Sequence, residues 1–189
     1  MKTISKLSII VIVAVVLIVL LKPYVDTYKD NQKYAFKVNT IDGEVTKDSF
    51  KGKALAIYFG YTYCPDVCPT SLGSLSQALN SFDKEETKDF VGLFISVDPD
   101  RDTLANLKEY AQYFHTNFIG GTSNKENIDD IVKRYGSVYK KIELENSAMD
   151  YSVAHTSFIY LFDKDGRFIK KIDHFSDPKK IKEDLKKVL

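Results

Sequence analysis

The segment ALAIYFGYTYCPDVCPTSL, residues 54–72, holds the chain's only two cysteines and indicates the fold. Its first seven residues are a continuous apolar run with β-branched and aromatic side chains, which is typical of a strand covered on both faces of a sheet. Beyond the cysteines, apolar residues recur at helical spacing, at Leu72, Leu75, Leu79 and Phe82. The segment therefore predicts a buried strand that leads through Cys64 and Cys68 into a helix. In open α/β sheets that edge is where functional sites lie.

The rest of the chain alternates strand and helix patterns. The predicted elements are a hairpin around Asp42 and Gly43, a strand at 91–97, a helix at 102–114 capped by Asp102 or Thr103, a helix at 127–139, a strand at 156–162 that turns at Asp165 and Gly166 into a partner at 167–172, and a closing helix at 177–189. This order predicts one α/β domain with a mixed central sheet flanked by helices.

Composition narrows the classes of function. The 189 residues carry 27 Lys and Arg against 26 Asp and Glu, without a block of basic residues dense enough to follow a phosphate backbone. Nucleic acid is therefore not an expected partner. Two cysteines are too few for the disulfide framework of a small secreted domain. Stability must then come from ordinary packing, and the thiols are available for chemistry.

The N-terminus predicts a membrane segment. Two lysines in MKTISK precede the apolar run Leu7–Leu21. A charged region followed by a hydrophobic region is typical of a signal sequence. Residues 1–21 are predicted to be an uncleaved signal-anchor, because no small-residue cleavage site follows; a cleaved signal is the alternative. Residues 22–33 are then a polar tether and residues 34–189 the folded domain. The basic N-terminal end predicts a single pass with the domain on the extracytoplasmic side, periplasmic or equivalent.

The two cysteines leave three interpretations open. Cys68 lies at the predicted start of a helix, where unpaired backbone N–H groups and the helix dipole lower the pKa of a thiol. Positions four apart on an ideal helix have Cα atoms about 6 Å apart, within the range that a disulfide tolerates. A redox pair and a shared metal ion both fit this spacing. Two inert structural thiols fit less well, because Pro65, Asp66 and Pro69 do not suit a core turn.

A metal held by two thiolates needs a third ligand. The candidates are His155, His115, His174 and Met149. His155 directly precedes the predicted strand at 156–162. It can reach the cysteines only if that strand runs antiparallel to the strand at 54–60, which the hairpin at the end of the chain permits. His115 and His174 are expected to be surface residues.

Three motifs together resemble a known family. YTYCPDVCP (61–69), SVDPDRDT (96–103) and AHTSFIYLFDKDG (154–166), behind one N-terminal hydrophobic segment, resemble the Sco (SenC) family of copper proteins involved in cytochrome c oxidase assembly. The likeness covers roughly Phe36 to Leu189. It implies a thioredoxin-like fold, a membrane anchor with the domain on the outer face, and copper bound by Cys64, Cys68 and His155.

One position departs from the family pattern. The family often has an aspartate directly before the histidine ligand, where this chain has Ala154. Any orienting or docking role of that acid is then absent or supplied elsewhere, for which Asp150 is the candidate. The ligand set itself agrees with the resemblance, since two soft thiolates and an imidazole suit Cu(I), with Cu(II) as a further valence. A closed zinc site would need a fourth ligand, and Asp66 is expected to orient its loop.

The SVDPDRDT motif has two interpretations. Its acids either steer a basic partner or lie near the metal, because the motif follows a strand at the edge expected to carry Cys64. Alternatively, Asp98 and Asp102 are turn and cap residues and Arg101 ties the loop by an ion pair, which is the favoured prediction.

Two functions from different classes follow. The first is a metallochaperone that passes copper to the copper-bearing subunit of cytochrome c oxidase, or reduces the cysteines of that copper site. The second is an extracytoplasmic thiol-disulfide oxidoreductase, in which Cys64 and Cys68 are catalytic. A copper donor or a thiol-disulfide protein is a further expected partner. His155 discriminates between the two, because a copper site needs it and a reductase does not.

Overall fold

The computed structural model describes residues 2–144 and 149–189, with side chains described from residue 8 onward. The chain divides into two compact units, residues 1–33 and 34–189. The first unit is one helix, α1 (Lys2–Lys33). The first residue of the predicted signal-anchor, Met1, lies outside the described residues.

Helix α1 is long and apolar enough to cross a membrane by length and composition. It continues without a break through the segment 22–33 that was predicted to be a polar tether, although Pro23 lies inside it. Proline lacks the N–H that would bond one turn back. The Thr27 hydroxyl donates to the Pro23 carbonyl at 2.8 Å, one turn further on.

The second unit is built on a seven-stranded mixed sheet. In chain order, the strands of the unit are β1 (Lys37–Thr40), β2 (Gly43–Thr46), β3 (Ala54–Gly60), β4 (Phe90–Ser96), β5 (Phe118–Thr122), β6 (Tyr139–Glu143), β7 (Tyr151–His155), β8 (Phe158–Phe162) and β9 (Phe168–Asp173). The sheet order is β2-β1-β5-β4-β3-β8-β9, and β6 and β7 form a separate two-stranded sheet. Strands β3, β4 and β5 are parallel, whereas β1–β5, β3–β8 and β8–β9 are antiparallel. The predicted mixed sheet is confirmed.

Helices cover the sheet. They are α2 (Val67–Leu79), α3 (Lys84–Thr87), α4 (Leu104–Phe114), α5 (Lys125–Arg134) and α6 (Pro178–Leu185), and a short 3-10 helix spans Lys47–Phe50. Of the two cap residues predicted for α4, Thr103 is the cap, since its side chain accepts from the Asn106 N–H. All seven residues of β3 are buried, as expected for a strand covered on both faces.

Strand β5 was missing from the sequence prediction. Its sequence FIGGT has two glycines, which weaken a strand pattern. The structure explains Gly120, because a Cβ there would lie 2.2 Å from the Leu107 carbonyl oxygen of α4. Gly120, which weakens the strand pattern in the sequence, is therefore the residue that allows α4 to pack closely on the sheet.

The β6–β7 hairpin was also missed, and the helix predicted at 127–139 is shorter than expected. Helix α5 ends at Arg134 because Gly136 adopts a left-handed conformation (φ 66°). The Ser137 N–H then bonds the Val132 carbonyl, which is the hydrogen bond of a Schellman helix end. Tyr139 begins the strand that pairs with β7, so the end of the predicted helix is in fact half of this hairpin.

Candidate metal centre

The cysteines lie in the predicted turn between β3 and α2. The Cys64 N–H bonds the Tyr61 carbonyl at 3.2 Å, and Cys68 lies in the first turn of α2. Cys64 is half-buried and Cys68 fully buried. A Cβ at Gly60, the last residue of β3, would lie 2.7 Å from the Cys68 Sγ. The absence of a side chain at Gly60 therefore provides the space that the Cys68 thiol occupies.

His155 reaches this turn from a distant part of the chain. Strand β8 runs antiparallel to β3, with Tyr58 opposite Ile159, so the chain that enters β8 lies beside the end of β3. The predicted antiparallel arrangement is confirmed. The His155 Nε2 lies 3.3 Å from the Cys68 Sγ. The ligand atoms of Cys64, Cys68 and His155 all lie within 4.8 Å of one another.

Neighbouring side chains hold the His155 ring. The rings of Tyr58 and Tyr61 meet it edge-on, with centroids 6.1 and 6.0 Å away. Its Nδ1 lies 3.3 Å from the Thr156 carbonyl oxygen and 3.5 Å from the Ser157 hydroxyl. With the proton on Nδ1, that nitrogen donates to the carbonyl and the Nε2 lone pair faces the thiols. This is the tautomer that a metal ligand requires.

The two thiols differ in acidity. A hydrogen bond from Cys68 lowers the pKa of Cys64 to about 4, helped by the backbone N–H groups of Asp66 and Cys68. Burial and the neighbouring Cys64 raise the pKa of Cys68. The expected lowering of the Cys68 pKa by the helix N-terminus is therefore wrong, because desolvation outweighs the helix dipole at a fully buried sulfur. Cys64 is the thiolate of the pair and Cys68 carries the proton.

The SVDPDRDT motif supports the cysteine turn. Asp102 is buried, and its carboxylate accepts from the Thr62 N–H at 3.1 Å and from the Thr62 hydroxyl. The Ser96 hydroxyl donates to the same carboxylate at 2.5 Å. Asp102 is therefore not the helix cap that the sequence allowed, but the anchor of the loop that carries Cys64. The ion pair predicted for Arg101 is present, and its partner is Asp98, with 2.6 Å between the Arg101 Nε and the Asp98 Oδ2.

The other ligand candidates lie apart from this cluster. His115 precedes β5 at the opposite edge of the sheet, where its Nδ1 accepts from the Asn117 N–H at 3.0 Å. His174 contacts Asp173 and the Phe175 ring. Met149 lies two residues before β7 begins, and His155 is the last residue of that strand.

Asp150 does not replace the acid missing at Ala154. It directly precedes β7, whereas His155 ends that strand. The two residues are about 16 Å apart along the chain at about 3.3 Å per residue. Ala154 itself is exposed.

Sequence reasoning missed the supporting residues Gly60 and Thr62. A glycine directly between a buried strand and a cysteine turn was the available signal for the first, since glycine permits close approach. The Thr62 contact with Asp102 had no local signal, because 40 residues separate the two.

The donor set fits a soft metal ion. Thiolate and imidazole ligands suit Cu(I) better than Mg²⁺ or Ca²⁺, which prefer oxygen. With metal–ligand bonds of about 2.0–2.3 Å, two donors on one ion are at most about 4.6 Å apart. The observed spread of up to 4.8 Å needs only a slight contraction to meet that limit.

A mixed sheet flanked by helices, with a thiol pair in the turn between a central strand and its helix, defines a thioredoxin-like protein. The SCO1/SenC family model matches residues 25–189. The chain belongs to this family.

Relatives cover most of the chain. An SCO2-like protein from Rickettsia conorii is 38% identical over 165 residues, which span 86% of this chain and 80% of the relative. The structure of Bradyrhizobium japonicum ScoI with copper bound is 38% identical, with a TM-score of 0.72, and the match covers 82% of this chain and 98% of that one. BsSco, a member of the Sco family of cytochrome c oxidase assembly proteins, is similar in fold at 23% identity with a TM-score of 0.61, over 82% of this chain and 91% of that one.

Proposed function

We propose that this protein is a membrane-anchored copper metallochaperone that binds copper through Cys64, Cys68 and His155. The observation that carries the proposal is the meeting of two thiols and an imidazole within 4.8 Å in a chain with only two cysteines. Membership of the SCO1/SenC family and the copper bound to the similar Bradyrhizobium japonicum ScoI support it.

The two thiols differ in exposure, and this difference suits a protein that carries a metal ion and releases it to an acceptor. Cys64 is half-exposed, so an incoming thiolate of an acceptor reaches its side of the site first. Displacement of the Cys64 sulfur leaves copper on Cys68, His155 and the acceptor, and a second acceptor ligand then replaces Cys68. Cu(I) tolerates these low coordination numbers. Copper transfer thus proceeds by ligand exchange, without a free ion.

The acceptor in this proposal is the copper-bearing subunit of cytochrome c oxidase. Family membership supports this partner, as does the description of BsSco as an oxidase assembly protein. Helix α1 would hold the domain at the membrane that contains the oxidase, with its basic N-terminal end inside and residues 34–189 on the extracytoplasmic side.

The proposal is tested by anaerobic Cu(I) titration of the reduced protein in competition with a chelator. Wild type should bind one equivalent tightly. His155→Ala should bind at least ~10-fold more weakly, because a two-thiolate site lacks its third donor. His115→Ala is the matched control, since His115 lies at the opposite edge of the sheet, and should bind as wild type does. Equal affinity of His155→Ala and wild type would remove His155 from the site.

A second candidate function is thiol-disulfide exchange, favoured by the low pKa of Cys64 beside a protonated Cys68. The Cys64 thiolate would attack a partner disulfide, forming a mixed disulfide and releasing one partner thiolate. Cys68, once deprotonated, would attack the Cys64 sulfur and release the second partner thiolate, and an external dithiol would reduce the resulting Cys64–Cys68 disulfide. Reduction of a model disulfide by His155→Ala at the wild-type rate, with weak Cu(I) binding in both proteins, would favour this function.

A further inference from the structure

The two halves of the candidate metal centre belong to separate parts of the fold. Cys64 and Cys68 lie on the turn between β3 and α2, which continues from the central sheet. His155 lies at the end of the β6–β7 hairpin, and within residues 2–144 and 149–189 this hairpin pairs with no strand of the seven-stranded sheet. On its C-terminal side His155 is joined through residues 156 and 157 to β8 of the main sheet. On its N-terminal side its position depends on the side chains that hold the hairpin to the domain.

Arg101 makes the most extensive of these contacts. Its Nη1 donates to the Met149 carbonyl at 3.1 Å and to the Tyr151 carbonyl at 3.0 Å. Its guanidinium carbon lies 3.6 Å from the centroid of the Tyr151 ring. One side chain thus binds both the backbone and the aromatic ring at the start of β7.

Asp98 closes a ring of three residues with Arg101 and Tyr151. Its side chain is 0% exposed, and the Arg101 side chain is 17% exposed. The Asp98 carboxylate accepts from the Arg101 Nε at 2.6 Å and from the Tyr151 hydroxyl at 2.8 Å. Breaking a buried ion pair is costly, because the remaining charge loses its partner in a desolvated environment. The ring is therefore a stable attachment for the hairpin.

Val153 of β7 packs in the hydrophobic core at 4% exposure, but two other polar attachments of the hairpin are more exposed. Lys141 pairs with Asp100 at 2.6 Å, and the Tyr139 hydroxyl donates to Asp129 at 2.5 Å. The Asp100 side chain is 65% exposed, and such exposed pairs contribute little to stability. Among the polar contacts, Arg101 is thus expected to contribute most to holding the hairpin.

The residue next to Arg101 holds the other half of the site. Asp102 anchors Thr62, two residues before Cys64, through the Thr62 N–H and hydroxyl. Adjacent residues of one short loop therefore grip the cysteine turn and the histidine hairpin. We propose that the loop 97–102 is a clasp that sets the position of His155 against the thiols, with Arg101 as the positioning residue on the histidine side. Its effect on copper rests on the proposed function.

Arg101→Lys is the informative variant. Lysine keeps a positive charge beside the buried Asp98, so the variant avoids an unpaired buried carboxylate. It loses the planar fork that binds two carbonyls and stacks on the Tyr151 ring. Arg134→Lys is the matched control: Arg134 also pairs with an aspartate, Asp130, at 2.8 Å and donates to the Ala35 carbonyl, but it holds a different part of the domain.

The experiment uses the full chain in detergent micelles, reduced and anaerobic, with two readouts. In the metal-free protein, Arg101→Lys should raise amide hydrogen exchange in β6 and β7 at least ~10-fold and leave β3 and β4 unchanged. In Cu(I) titration it should weaken binding at least ~10-fold, the usual effect of losing a residue that positions a ligand. In the His155→Ala background the same substitution should change the affinity less than about twofold, because the two effects share one cause.

The outcomes separate this proposal from the proposed function. Unchanged exchange in the hairpin overturns the clasp, and so does equal weakening of Cu(I) binding with and without His155. If wild type binds Cu(I) through His155 and Arg101→Lys binds Cu(I) with the same affinity as wild type, the clasp is also overturned. If wild type does not bind Cu(I) through His155, the proposed function fails, and the metal-free exchange experiment still decides whether Arg101 holds the hairpin.

Discussion

The Cys68 Sγ lies 3.3 Å from the His155 Nε2, although 87 residues separate the two in the chain. The contact exists because β8 returns antiparallel beside β3, which carries the cysteine turn at its end. It brings an imidazole nitrogen to the buried thiol of Cys68. A redox pair alone would not need the histidine there, so this contact favours metal binding over simple disulfide exchange.

Gly60→Ala is expected to disturb the site, although the substitution adds only one methyl group. The added Cβ would lie 2.7 Å from the Cys68 Sγ and 2.8 Å from the Phe94 ring. Overpacking of this kind costs about 1–3 kcal/mol of unfolding free energy, which urea unfolding would measure. Gly73→Ala in α2 is the control, because beyond its chain neighbours and its own helix backbone no atom lies within 4 Å of its added Cβ, and it should stabilise by roughly 0.5–1 kcal/mol. Equal effects of the two substitutions would contradict the close approach at Gly60.

The alkylation of Cys64 should be nearly independent of pH in the neutral range. Its pKa is lowered to about 4, so the reactive thiolate is present above that value and is lost as the pH falls through it. The rate with iodoacetamide, measured by mass spectrometry of the modified peptide, should therefore stay constant from pH 8 to about 5 and fall below that. In urea, where the protein is unfolded, the pH dependence of the alkylation rate should be that of an ordinary thiol with a pKa of about 8.5. A folded-state profile that matches the urea profile would show that Cys64 is not ionised by its neighbours.

Asp102→Asn should affect the cysteine turn, whereas Thr103→Ala should affect only the helix. The carboxylate accepts from Thr62 and Ser96, and a single amide oxygen cannot replace both of its oxygens. Loss of these buried contacts should cost about 1–3 kcal/mol and change the alkylation rate of Cys64. Removal of the α4 cap at Thr103 should cost about 1 kcal/mol without changing that rate. An unaltered Cys64 rate in Asp102→Asn would reduce Asp102 to a stabilising role.

Removal of residues 1–33 should leave a soluble, folded domain. Residues 34–189 form their own compact unit, and this unit begins with a residue of its core: Tyr34 is 2% exposed and packs against Tyr135 and Phe162. Near-ultraviolet circular dichroism and urea unfolding would test this.

A fragment that begins at residue 37 is the informative comparison, because it also lacks Tyr34 and Phe36. Loss of a buried aromatic side chain costs about 3–5 kcal/mol, so this fragment should be much less stable. Aggregation of the 34–189 fragment would show that the first segment is needed for folding.

The sequence by itself determined the elements whose patterns are local. The apolar run of β3 and the spacing of Leu72, Leu75 and Leu79 in α2 follow directly from which residues a strand or a helix buries. The cysteine turn between them was likewise predicted from the sequence, whereas His155 was one of four candidate ligands and was assigned by the resemblance to the Sco family. Strand β5 was not found, because Gly120 removes the side chain on which a strand pattern depends.

Only the tertiary structure decided how distant residues act on one another. Asp102 had a local interpretation as a helix cap, but its carboxylate instead accepts hydrogen bonds from Thr62, 40 residues away. The acidity of Cys68 likewise depends on burial and on the neighbouring Cys64 more than on its place at a helix start. A sequence pattern records periodicity and short-range hydrogen bonding, but desolvation and contacts between separate elements arise only when the chain is packed.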